Sequence, residues 1–145
     1  MRFTKIDKTI TCGYREKVNS LISIINRIVE INTAISVKPE YVMTNTERLF
    51  FCVSVLNNLK GTTKPFSVEA LQRYKKYFKE STDKRVISLY LGKLQKKKWV
   101  QYDRDFKVLD LPPLYQGIDL DSGVFNFSTT LNFEADVEEA ERELK

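Results

Sequence analysis

The chain has 145 residues, of which 42% are hydrophobic and 12% aromatic, and it carries a net charge of +5. This composition excludes a disordered chain and provides enough apolar material to bury the core of one domain. The charge is unevenly distributed: residues 1–63 carry a net +4, residues 64–107 a net +8 and residues 108–145 a net −7. The strongly basic middle therefore predicts a polyanionic partner for that part of the chain.

The sequence offers little material for catalysis or for metal binding. It has no histidine, which removes the commonest general base and metal ligand. Cys12 and Cys52 lie in apolar surroundings, so we expect reduced packing residues rather than a disulfide or a zinc site. With five glycines and no phosphate-binding loop among them, we expect no enzyme activity, no metal and no cofactor.

Membrane insertion and export are also not expected. The densest apolar stretch, residues 21–31, is interrupted by polar and charged side chains, which argues against a membrane span. The amino-terminal decapeptide lacks the apolar core of a signal sequence. We therefore expect a cytoplasmic protein without a membrane partner.

The first predicted helix runs from Tyr14 to about Ser36, without proline or glycine. Its apolar residues recur on one broad stripe, and others fall off that stripe, so the helix has more apolar surface than a single packing face needs. It either lies deep in the domain or pairs with a second copy of itself. For the second alternative, a homodimer, the residues assigned to the seam are Val18, Leu21, Ile25 and Ile28.

Two further helices are marked by their capping residues. Thr44 is a favourable N-cap, and Glu47 completes a capping box with it. Gly61 predicts the end of that helix, and Ser67 caps the next one. Between them, residues 62–66 form an extended connector that has room for a short strand.

The stretch Ser81–Leu111 is predicted to be a basic helix followed directly by a hairpin. Ile87, Leu91 and Leu94 are spaced i, i+4 and i+7, which places them on one side of a helix. The pattern then changes to strand, turn and strand: Trp99, Val100 and Tyr102 precede a turn at residues 103–105, and Phe106, Val108 and Leu111 follow it.

Residues 44–111 resemble the winged helix-turn-helix superfamily of DNA-binding regulators. The order of elements carries the likeness, together with the phrase LQKKKWV at Leu94–Val100. Lys98 departs from the family because it replaces the usual glycine, and Gly92 is unusual within a helix. The resemblance implies an α+β, mostly α, fold: an arm and helix in residues 1–43, the winged helix in 44–111 and a C-terminal extension with an acidic helix in 112–145.

In that family the third helix enters the major groove and the wing contacts the DNA backbone. The resemblance therefore implies double-stranded DNA as the partner and regulation of transcription or replication as the role. The implied DNA-binding residues are Lys75, Lys76, Lys79, Lys84, Arg85, Ser88, Leu89, Lys93, Lys96, Lys97, Arg104 and Lys107. The Lys- and Asn-rich style would suit an accessory protein of a bacteriophage or other mobile element, acting in the host cytoplasm.

The alternative is a winged helix that binds another protein within a replication, transcription or viral assembly. Phe125, Phe127 and Phe133 need a surface to pack on, and the acidic tail offers charges to a partner. In this interpretation the C-terminal extension contributes the protein-binding surface.

Overall fold

The computed structural model describes residues 20–78, 82–116, 118 and 137–144. The described residues up to 118 belong to one compact unit, and residues 137–144 belong to a second. The first unit contains, in chain order, α1 (Leu21–Ser36), a 3-10 turn (Pro39–Tyr41), α2 (Asn45–Leu59), α3 (Val68–Tyr77), α4 (Lys84–Lys96), β1 (Gln101–Asp103), β2 (Val108–Asp110) and α5 (Pro113–Gln116). This mostly helical unit with a small antiparallel sheet confirms the α+β prediction. In the described segments, no helix combines the length and apolar character needed to cross a membrane.

Helix α2 forms the centre of this unit. The predicted capping box is present: the Glu47 amide donates to Thr44 Oγ1 at 3.2 Å, and the Thr44 amide donates to Glu47 Oε1 at 2.8 Å. Residues 50–57 are all buried, because α1, α3, α4 and α5 pack around α2. The helix ends before Gly61, whose φ of +82° is the left-handed conformation that favours glycine.

Helix α1 packs against α2 within the same chain. Ser20 caps its first turn, and residues 14–19 of the predicted helix lie outside the described residues. Ile25 and Ile28 are buried in the common core, and Leu21 packs against it. The structure thus selects the first alternative for this helix, and it corrects the assignment of Ile25 and Ile28 to a dimer seam, because their side chains already have intramolecular partners. Val18 lies outside the described residues.

The predicted hairpin is present but shorter than expected. Its register pairs Gln101 with Asp110 and Asp103 with Val108, so Trp99 and Val100 precede the first strand instead of belonging to it. Trp99 is buried and its Nε1 donates to the Tyr41 carbonyl at 2.6 Å. The indole therefore ties the base of the hairpin to the 3-10 turn before α2.

The turn between α4 and the hairpin contains one residue, Lys98, in a left-handed conformation. Lys98 has a φ of +63°, which carries a cost for a residue with a Cβ. Its Nζ lies 5.1 Å from the centre of the Tyr41 ring, a cation–π contact that offsets part of the backbone cost.

The connector between α2 and α3 does not form the expected strand. Within the described residues 62–66 it makes a single backbone bond to the hairpin, from the Leu109 amide to the Thr63 carbonyl at 3.0 Å. Pro65 lacks an amide proton, which limits pairing along this segment. The connector thus borders the hairpin without becoming a third strand.

The borders predicted at 43/44 and 111/112 do not coincide with breaks in the packing. Tyr115, in α5, is fully buried with its ring 4.9 Å from that of Phe51, and its hydroxyl accepts from Asn32 Nδ2 at 2.8 Å. Pro113 is the first residue of α5, a position at which a missing amide proton is tolerated. Segments on both sides of the predicted core domain therefore share its interior.

The acidic helix of the tail is present as α6 (Val137–Glu143) and is described here by itself. Glu138, Glu139, Glu141 and Glu143 are all exposed. The three phenylalanines at 125, 127 and 133 lie outside the described residues.

Candidate nucleic-acid interface

Helix α4 has one buried face and one exposed face. Asp83 caps it, accepting from the amides of Arg85 and Val86 at 3.0 and 3.1 Å. The predicted stripe is buried in the core, and Tyr90 packs at its edge against Phe50 with ring centres 5.2 Å apart. Exposed on the other side are six of the residues assigned to DNA: Lys84, Arg85, Ser88, Leu89, Lys93 and Lys96.

The cations of α4 are of two kinds. Lys93 and Lys96 lie in the last turn, where the helix dipole attracts positive charge, so helix stability alone explains them. Lys84 and Arg85 lie in the first turn, where the dipole disfavours cations, and this turn contains no acidic residue. Within the described segments, neither of these two side chains makes an ion pair or a hydrogen bond. The helix dipole therefore does not account for these two cations.

A shallow groove of about 620 Å³ lies beside the first half of α4. Its lining combines cationic, hydroxyl and apolar groups from Lys84, Arg85, Ser88, Leu89 and Phe66. Phe66 belongs to the connector before α3, and its ring contacts Tyr102 of β1 edge-on at 5.7 Å. This one aromatic ring thus places the hairpin next to the exposed start of α4. The role of Phe66 in this groove was not predicted, because the residue lies in a segment without helical or strand periodicity.

Gly92 lies on the same exposed side of α4, one turn after Ser88. A Cβ built at this position meets nothing within 4 Å. No neighbour in the described residues therefore requires glycine here, although glycine costs about 1 kcal/mol relative to alanine inside a helix.

Lys97 differs from the other cations assigned to DNA. Its Nζ donates to Glu47 Oε1 at 2.6 Å and to the Val42 carbonyl at 3.0 Å. Glu47 is buried; burial raises the pKa of its carboxyl, but the hydrogen bonds from Lys97 and Thr44 outweigh that effect and the net pKa is lowered. Because its charge already neutralises a buried carboxylate, we leave Lys97 out of the candidate interface.

The remaining assigned cations flank α4. Lys75 and Lys76 are exposed in the last turn of α3, and Arg104 and Lys107 are exposed in the hairpin turn. Lys79 lies outside the described residues. The described members thus lie on the helix before α4 and in the hairpin turn after it in the chain.

Among the described residues there is no cluster of cysteine and acidic side chains that could hold a metal ion. Cys52 is a free, buried thiol, and burial raises its pKa to about 12. It is a packing residue, as predicted, while Cys12 lies outside the described residues.

Comparison with known proteins adds no relative: no protein-family model, no curated protein sequence and no solved structure matches the chain.

Proposed function

We propose that the chain is a winged-helix protein that binds double-stranded DNA and regulates transcription or replication. In this proposal α4 enters the major groove, and the β1–β2 hairpin is the wing. The order of α2, α3, α4 and the hairpin supports it, as do the left-handed turn at Lys98 and the backbone bond from Leu109 to the connector.

The observation that carries the proposal is the pair of cations in the first turn of α4. Lys84 and Arg85 are exposed, oppose the helix dipole and line a groove with Ser88. Lysine or arginine at such a position can donate to guanine O6 and N7, and serine can bond either base. The lysines of the last turns of α3 and α4 would then meet the phosphates on the two rims of the groove.

The test is equilibrium binding of the full chain to labelled duplex DNA between about 50 and 300 mM salt. Neutralising six phosphates predicts a slope of about −5 in the plot of log K against log salt. A slope near zero, or no binding at 50 mM salt, would remove DNA as the partner.

Gly92 gives a second prediction for the same face. Gly92→Ala should raise the free energy of unfolding by about 1 kcal/mol, because alanine is the better helix former and the site has open space. The same change should weaken duplex binding severalfold, because an added methyl group separates the helix backbone from the DNA. Urea denaturation and DNA titration of one preparation measure both effects. A variant that is more stable and binds DNA as tightly as the wild type would show that Gly92 has no part in the interface.

A protein-binding module remains the second candidate, favoured by one observation. Leu89 is 57% exposed in the middle of the cationic face, where a base-reading surface more often carries polar groups. An acidic protein partner would bury this leucine and form ion pairs with the surrounding cations. A flat salt response to DNA in the titration above, with the fold intact, would favour this candidate.

A further inference from the structure

The tip of the β1–β2 hairpin carries an aromatic residue that its own chain does not use. Phe106 is 74% exposed, whereas the other aromatic residues of the first unit's described part are buried or half-buried. It makes no ring contact in the described part of the chain. An exposed phenylalanine adds little to the packing of its own chain, so its ring is free to contact a partner.

The backbone beneath Phe106 is held in one conformation. Asp103 Oδ1 accepts from the amides of Asp105 and Phe106 at 2.9 and 3.2 Å. Lys107, the next residue, has a φ of +57°, a left-handed conformation that carries a cost for a residue with a Cβ. The ring is thus presented by a rigid four-residue turn, and ordering such a turn on binding costs little conformational entropy.

The surroundings of Phe106 match a nucleic-acid base better than an apolar protein surface. Arg104 and Lys107 belong to the same turn as Phe106 and are exposed, so the turn offers two cations to the phosphates beside a stacked base. The turn also carries two carboxylates. That of Asp103 accepts two hydrogen bonds from backbone amides of the turn, whereas that of Asp105 accepts no such bond within the described residues.

We propose that Phe106 stacks on a base at an opened step of the DNA, such as a bulge or a mismatch, next to the duplex held by α4. This inference rests on the proposed function, and it adds the structural class of DNA that the protein prefers. Opened steps are favoured because fully paired bases must first be unstacked to receive the ring. Phe66, between α4 and β1, keeps the hairpin beside the candidate duplex-binding face.

The experiment compares a paired duplex with the same duplex carrying a one-base bulge, with 2-aminopurine as the base next to the bulge. The wild type should bind the bulged duplex about tenfold more tightly and quench the 2-aminopurine fluorescence. Phe106→Ala should lose this preference and the quenching, while its affinity for the paired duplex stays within twofold. Phe106→Trp should keep both, because the larger ring still stacks.

Phe106→Leu is the matched apolar control and should behave like alanine. If Phe106→Ala or Phe106→Leu still prefers the bulged duplex, the stacking role is overturned. Survival of the preference in Phe106→Leu would indicate a simple apolar contact of the kind that a protein partner makes. These results are distinct from a failure of the proposed function, in which the wild type would bind neither duplex. All three substitutions lie at an exposed side chain, so thermal denaturation should give unchanged midpoints.

Discussion

Replacing Lys84 and Arg85 together with alanine should weaken duplex DNA binding at least thirtyfold and leave the fold as stable as before, or more stable. A side chain that donates to a base edge contributes about 1–3 kcal/mol, so losing two amounts to about 2 kcal/mol or more. The same substitution removes two cations from the positive end of the α4 dipole, which raises the free energy of unfolding by up to about 1 kcal/mol. Binding and stability should thus change in opposite directions.

Fluorescence anisotropy with labelled duplex measures the first effect, and urea denaturation measures the second. The control is Lys38→Ala/Lys60→Ala, which removes the same charge from two exposed positions outside α4. That variant should lose only the small affinity expected from the lower net charge. Equal losses in the two double variants would mean that DNA binding depends on total charge and not on the first turn of α4, and the major-groove proposal would then be abandoned.

The second large effect concerns stability. Lys97→Ala should lower the free energy of unfolding by about 2 kcal/mol, because it leaves the buried carboxylate of Glu47 without its cation. We expect a smaller loss of stability than for a fully buried ion pair, because the Lys97 side chain is 26% exposed and solvent screens part of the interaction. Glu47→Gln should cost less, since glutamine still accepts from the Thr44 amide and the lysine can reach water. Urea denaturation at pH 7 gives both values.

The pH dependence of stability identifies the carboxylate. Because the pKa of Glu47 is lowered in the folded state, its contribution is fully present above the ordinary carboxyl pKa of about 4.3 and is lost as the pH falls through the lowered folded value. Between pH 5 and pH 3 the wild type should therefore lose more stability than Glu47→Gln. The double variant Glu47→Gln/Lys97→Met should lie within about 1 kcal/mol of the wild type. Parallel pH curves for wild type and Glu47→Gln would contradict the role given to this pair.

Short-range features of the fold were predictable because neighbouring residues determine them. The caps of α2 and α3 depend on side chains three residues from the amides they bind, and both were predicted at Thr44 and Ser67. The hairpin followed from a change of period, although its strands are shorter than predicted, because Trp99 turns into the core before β1 begins. The prediction of a strand in the connector was wrong, because within the described residues a single backbone hydrogen bond, at Thr63, joins this segment to the hairpin.

The candidate site was predictable in part. The exposed face of α4 follows from its apolar stripe, because a helix that buries Ile87, Leu91 and Leu94 must expose the opposite side. The place of Phe66 in the groove and the ion pair of Lys97 with Glu47 could not be predicted, since each depends on residues far away in the sequence. Which of several lysines faces a carboxylate and which faces solvent is determined by how α2 and α4 cross.

The sequence by itself determined the elements of this protein: the caps of α2 and α3, the amphipathic stripes and the basic character of the segment that becomes α4. Only the tertiary structure decided what covers each apolar stripe, burying Ile25 and Ile28 against α2 and joining Lys97 to Glu47. The physical reason is range. Helical periodicity and capping act over three to four residues, whereas burial and ion pairing depend on which distant segments meet in the core.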